Sequence, residues 1–374
     1  MPLPSAVTPL LKKIRTLILN EGPMPVSRYM ALCLGHPRHG YYITRDPLGA
    51  QGDFTTAPEI SQMFGELLGL WAVATWQQMG SPDAFRLIEL GPGRGTLMAD
   101  ALRAARLLPA FISAARIHMV ETSPVLRGAQ KRALAGSGLE ISWHDRIEDV
   151  PVGPSIIIAN EFFDALPVDQ YVFTQGAWHE RRVGLDENGE LTFGLDTPPS
   201  PLATAFAAHL PPPDEGAVLE RLDPGPARAL STRIAAQGGA ALIIDYGHGG
   251  GYGDTLQALE NHTFADPLAR PGALDLTAHV DFALLARIGA AAGAVPYGLL
   301  GQGEFLIRLG LGQRTQALMK GKDEAGQEAI AAAATRLAGT EPEHMGSLFK
   351  VLALVHPAMG APPAFDVSEQ IPAR

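Results

Sequence analysis

Residues 85–107 read FRLIELGPGRGTLMADALRAARL. An apolar run (85–90) meets the turn Gly91-Pro92-Gly93-Arg94-Gly95, and helical periodicity follows from about Thr96 to Leu107. A buried strand, a glycine turn and a helix make the opening unit of a doubly wound α/β sheet. Glycines let the backbone turn sharply and approach a ligand, and the helix start offers free N–H groups. Glu89 precedes the first glycine by two positions, and Glu121 ends the next apolar run. An acid at the second position can accept both ribose hydroxyls of an adenosine. Dinucleotides and S-adenosylmethionine share this geometry. Glu89 would repel a pyrophosphate and attract a sulfonium bearing a free amino group. The spacing G-x-G-x-G also departs from the dinucleotide fingerprint G-x-G-x-x-G. The turn therefore favours S-adenosylmethionine. A nicotinamide-dependent oxidoreductase is the rival reading, and a tight turn without a ligand is the plain one.

Outward from this unit the same alternation repeats. RIHMVE (116–121), LEISWH (139–144), SIIIANE (155–161) and ALIIDYG (241–247) read as strands. Helices are expected at 124–135 and 280–294, and two closing strands near 303–309 and 348–355. Continuous apolar strands separated by helices predict a parallel sheet covered on both faces. The closing pair, lacking a good helical crossover, predicts an antiparallel edge. Ahead of the sheet, helices are expected at 8–20 and 26–34, then a turn-rich loop. Pro58 and Glu59 are expected to open one long helix to Met79. Residues 168–239 break the alternation, with a hairpin turning at Asn188-Gly189. The resulting division is a helical region at 1–80, a first core part at 81–167 and an inserted lid or substrate subdomain at 168–239. A second core part covers 240–356, and a sparsely anchored tail 357–374.

Composition narrows the function classes. The 374 residues are 46% hydrophobic and 18% charged, enough for a sizeable core. A net charge of −10 demotes nucleic acid and anionic membranes as partners. Cys33 is the single cysteine, which excludes an internal disulfide and a thiolate metal cluster. No run of apolar residues is long enough to span a bilayer, and no metal is expected. Lys12, Lys13 and Arg15 interrupt the N-terminal apolar pattern, which argues for an amphipathic helix over a signal peptide.

Asn160, Glu161 and Asp164 follow the strand SIIIAN directly. Ligands of open α/β sheets bind outside the carboxyl ends of the strands, so a transfer site is expected here. Two carboxylates could grip a cationic acceptor; alternatively Asp164 caps a helix and Glu161 binds backbone amides.

Taken together, GDFTTAPEISQMFGELLGLW (52–71), ELGPGRGTLMADALR (89–103), NEFFDALPVDQ (160–170), LIIDYGH (242–248), DLTAHVDF (275–282) and GSLFKVLAL (346–354) resemble the MidA-type methyltransferases over roughly residues 5 to 356. That family includes the mitochondrial complex I assembly factor that methylates an arginine of the 49-kDa subunit. The resemblance implies a class I methyltransferase (Rossmann-like) α/β fold of seven strands, with S-adenosylmethionine as donor. It implies a protein arginine as acceptor, symmetrically dimethylated in the mitochondrial members, and a partner among complex I (NADH:quinone oxidoreductase) subunits of the 49-kDa type. By motif, Gly91, Gly93, Gly95 and Glu121 would hold the cofactor. Asp53, Thr55, Glu59 and Ser61 would line the site, and Asn160, Glu161 and Asp164 would lie near the transferred methyl. His279 is a candidate proton acceptor. The mitochondrial members tend to have serine before PEIS where this chain has Ala57. They also carry a targeting peptide with no evident counterpart here, so a bacterial cytoplasmic setting is expected, against the mitochondrial matrix of the eukaryotic relatives. An assembly chaperone that binds S-adenosylmethionine with little turnover is the alternative from another class.

Overall fold

The computed structural model describes residues 8–44, 56–260 and 263–372. The chain divides into two compact units: Met1–Phe54 with Asp164–Asp223 and His248–Asp281, and Thr55–Phe163 with Pro224–Gly247 and Phe282–Arg374.

The second unit carries the main sheet. Seven of its eight strands form one continuous path: β1 (Phe85–Leu90), β2 (Ala115–Val120), β3 (Ile141–His144), β4 (Ser155–Asn160), β5 (Gly239–His248), β6 (Val295–Gly301) and β7 (Phe349–Val355). Their order is β6-β7-β5-β4-β1-β2-β3. β1 to β5 run parallel, and β7 pairs antiparallel with both β5 and β6. The antiparallel strand therefore lies one place in from the edge, and β6 returns to the common direction. Ile156, Ile157 and Ile158 are all fully buried, as expected of a strand covered on both faces.

The region expected as a strand near 303–309 is the helix Gln302–Arg308, which buries Phe305 and Leu306 and exposes Ile307. Edge strand β6 precedes it. The expected long helix also begins differently. Ala57–Ile60 forms one turn, Ser61 breaks it at φ −160°, and Gln62–Gln78 follows with the Ser61 hydroxyl accepting from Met63 N. The tail is better anchored than its sequence suggests. Trp71 Nε1 donates to Pro363 O at 3.1 Å, and Ile371 N to Pro296 O at 2.9 Å.

Helix Gln62–Gln78 packs on Thr96–Ala105 with almost no gap. A Cβ at Gly65 would stand 2.7 Å from Asp100 Cβ, and one at Gly69 2.5 Å from Ala101 O. Two glycines one turn apart thus allow near backbone contact between the helices.

In the first unit Thr8 caps the helix Pro9–Glu21, and Val26–Gly35 follows. The predicted hairpin is present. Ala177–Leu185 pairs with Leu191–Leu195, and also with Val168–Thr174 and Met24–Pro25. Its turn is centred one position earlier than expected: Gly189 N donates to Asp186 O, so Glu187 and Asn188 are the corner residues. Gly189, at φ 76°, returns the chain to the strand.

One buried histidine in the sheet is expected to make stability sensitive to acid. His118 Nδ1 and His144 Nε2 are 2.9 Å apart, and Arg86 and Arg233 add positive charge. Burial foremost, then these neighbours, push His118 from 6.5 down to about 4. The unfolded chain takes up a proton near pH 6.5 and the folded one does not, so this contribution is complete above 6.5 and lost as pH falls toward 4. The loss is on the order of 2–3 kcal/mol. His118→Gln is expected to lose less melting temperature than the parent between pH 7 and 4.5. Equal losses would show that His118 is not the source of this sensitivity.

Candidate active site

The glycine turn leaves β1 as the sequence predicts. Gly91, Gly93 and Gly95 all have positive φ (59°, 52° and 86°). Gly91 N donates to Val120 O, and Gly95 N to Pro92 O. A Cβ at Gly91 would meet Phe162 Cδ2 at 2.9 Å, and one at Gly95 would meet Gln130 Cα at 3.2 Å. Conformation thus favours glycine at all three positions, and the residues packed on Gly91 and Gly95 leave little room for a side chain there.

Glu89 is buried under this turn. It accepts from Met98 N, in the first turn of Thr96–Ala105, and burial raises its carboxyl well above the usual range. Among the described residues its Oε2 has no hydrogen-bond partner. Glu121, at the end of β2, accepts from Ser123 N at 2.7 Å and from Gln130 Nε2 at 3.2 Å. Burial raises it too, against these hydrogen bonds.

Gln130 was not singled out from the sequence, yet it ties the site together. Fully buried, it donates from Nε2 to Gly93 O at 2.8 Å and to Glu121 Oε2, while Oε1 accepts from Trp143 Nε1 at 2.9 Å. One amide links the turn, the acid and β3. Gln130→Leu would strand all three groups. It is expected to weaken S-adenosylhomocysteine binding roughly tenfold or more and to raise KM for the donor, with kcat nearly unchanged. A drop in kcat at constant KM would rule out this role.

The carboxyl end of β4 bears the second cluster. Glu161 has φ 50°, the left-handed region that a side chain other than glycine's enters at a cost of about 1–3 kcal/mol. Its N donates to Ile244 O on β5. Its Oε1 accepts from Ala57 N at 3.2 Å and from Asn160 Nδ2 at 3.1 Å. Asn160 Oδ1 is buried with no hydrogen-bond partner among the described residues. Glu59 reaches the start of the turn's helix: Thr96 Oγ1 donates to its Oε1 at 2.5 Å, and Arg94 Nη1 lies 3.9 Å from Oε2. Asp245, fully buried on β5, accepts from Phe163 N and Tyr246 N at 3.0 Å each and fixes the chain leaving β4. An acid late in an apolar strand was the signal for Asp245, as it was for Glu89.

Ser61 caps its helix. Asp53 and Thr55 lie outside the described residues. Asp164 and His279 belong to the first unit. Asp164 is buried there, and its carbonyl accepts from Ala278 N. Desolvation foremost, then Asp275 and Asp164, raises the hydroxyl of Tyr42, which donates to both Asp275 oxygens at 3.0 and 2.9 Å. His279 N donates to Thr255 Oγ1, and burial with His248 lowers its ring.

Two buried acceptors, Glu89 Oε2 and Asn160 Oδ1, beside a turn with glycine at three of its five positions fit a ligand rich in N–H and O–H donors. S-Adenosylmethionine is such a ligand, with an ammonium, an adenine amino group and two ribose hydroxyls.

The comparisons with known proteins agree. Residues 67–300 match the family model described as "Putative S-adenosyl-L-methionine-dependent methyltransferase". The chain is 39% identical to the protein arginine methyltransferase NDUFAF7 homolog, mitochondrial, of Drosophila melanogaster, over 92% of this chain and 84% of that one. It is 39% identical to the human mitochondrial protein arginine methyltransferase NDUFAF7, over 86% and 78%. A superfamily member from Burkholderia thailandensis, crystallised with S-adenosyl-homocysteine, superposes with a TM-score of 0.83 at 28% identity over 97% of both chains. The β-order, the acid-flanked glycine turn and these likenesses agree, and the chain belongs to the S-adenosyl-L-methionine-dependent methyltransferase family that includes the NDUFAF7 proteins.

Proposed function

We propose that this methyltransferase acts on a guanidino nitrogen of a protein arginine, in a complex I subunit of the 49-kDa type, and that the modification aids assembly of that complex. The observation that carries this reading is the likeness, at 39% identity over most of both chains, to proteins named for arginine methylation. The carboxylates around the end of β4 add chemical support.

When bound, the donor supplies an electrophilic methyl carbon on a sulfonium. The turn Gly91–Gly95, Glu89, Glu121 and Asn160 are the residues assigned to hold it. A guanidinium stays protonated at neutral pH and offers no free lone pair. Glu161 is assigned to hold its charge on the far nitrogens and to receive the proton that leaves as the N–C bond forms. Asp164 and His279 remain candidates on motif resemblance, and Asp53 and Thr55 likewise.

The direct test is incubation with labelled donor and the 49-kDa-type subunit, followed by mass spectrometry of its arginines, with the parallel analysis of complex I from cells lacking the gene. A methylarginine that appears with enzyme and disappears without the gene supports the reading. Label on another residue type would overturn it. Assembly that survives in Glu161→Gln, with no methylation detectable even in the parent, would favour the chaperone. Calorimetric binding of NAD(H) with none for S-adenosylmethionine would restore the oxidoreductase.

A further inference from the structure

A cavity of about 420 Å³ opens on the second unit between the turn Ile147–Asp149 and the helix Pro224–Gln237. It lies at the amino ends of β4 and β5, whereas the glycine turn follows the carboxyl end of β1. Although the chain carries a net charge of −10, this wall is cationic. Arg233 is only 7% exposed. It donates from Nε to Ser155 Oγ and from Nη1 to Val150 O, each at 2.9 Å, and from Nη2 to Pro151 O. These bonds use three of the five N–H groups of a guanidinium. Arg86, whose charge bears on Arg233, donates to Val152 O.

Among the described residues neither Arg86 nor Arg233 has a carboxylate partner. A buried charge held only by carbonyls and a hydroxyl lacks the counter-ion that normally offsets its desolvation. Arg228 and Thr232, one helical turn apart, line the same cavity, and among the described residues no hydrogen bond or ion pair engages the exposed Arg228. The one acid in the lining, Glu148, is held by Arg146 at 2.9 Å.

We propose that this cavity binds a small molecule through an oxyanion, phosphate or carboxylate, with Arg228 and Arg233 as charge partners and the Thr232 hydroxyl as a further donor. The volume falls within the roughly 300–1,000 Å³ typical of small-molecule sites, and exceeds what a bare inorganic ion fills. The assignment is independent of the methyl acceptor.

The test is calorimetric titration of the full chain saturated with S-adenosylhomocysteine, which fills the glycine turn. Pyrophosphate and citrate serve as phosphate and carboxylate probes. At least one is expected to bind saturably at one site, more weakly at higher salt, and the tighter probe identifies the group recognised. Arg228→Gln is expected to weaken binding roughly tenfold or more, with part recovered in Arg228→Lys. Arg228 is exposed and makes no hydrogen bond or ion pair among the described residues, so the variant is expected to keep the fold. Absence of saturable binding up to about 10 mM, well above ordinary ligand affinities, or binding unaltered in Arg228→Gln, would overturn the proposal.

Discussion

Glu161→Gln is expected to lower methyl transfer about 10²- to 10³-fold while leaving S-adenosylhomocysteine affinity within a few-fold. The amide keeps a carbonyl oxygen where Oε1 accepts from Ala57 N and Asn160 Nδ2, so the backbone at φ 50° and the end of β4 stay in place. Only the negative charge and its proton affinity are removed. A carboxylate needed to hold a guanidinium and accept its proton cannot be replaced by a neutral amide. Single-turnover methylation and calorimetry together separate transfer from binding. Turnover close to that of the parent would remove Glu161 from the chemistry. Glu161→Gly adds a second reading: it relieves the left-handed conformation, so it should fold well and still fail to methylate.

Gly95→Val should abolish donor binding, with affinity for S-adenosylhomocysteine falling by more than about 100-fold, and should also lower stability. Its φ of 86° is an outlier for a β-branched residue, and its Cβ would start 3.2 Å from Gln130 Cα. Conformational strain of about 1–3 kcal/mol and overpacking of about 1–3 kcal/mol act together. Displacing Gln130 also loosens its hold on Gly93 and Glu121. Gly95→Ala should fall between the two in both melting temperature and affinity. Parental affinity in Gly95→Val would place the ligand elsewhere.

The parallel centre of the sheet was legible because strands covered on both faces have no polar side to write. Ile156–Ile158 and Leu242–Ile244 announce themselves as unbroken apolar runs. Its margin was not. β6 reads VPYGLLG, and Pro296, Gly298 and Gly301 look like turn residues, though an edge strand with a register shift between Tyr297 and Leu300 tolerates them. GEFLIRL looked like a strand because a short helix buries adjacent residues, Phe305 and Leu306, and leaves too few turns to show its period. The turn and its flanking acids were readable from spacing. Gln130 was not, because its importance lies in contacts with residues 37 and 9 positions away, which no local pattern encodes.

The close approach at Gly65 and Gly69 reaches into turnover. It clamps the helix Thr96–Ala105, whose first turn borders the glycine bend, so this wall is stiff before any ligand arrives. A socket that cannot relax once the methyl has gone still meets the same adenosyl and amino-acid groups. The spent product should therefore be held almost as firmly as the donor. The enzyme is then expected to be governed by the cellular ratio of donor to demethylated product, and to stall wherever that product is not cleared.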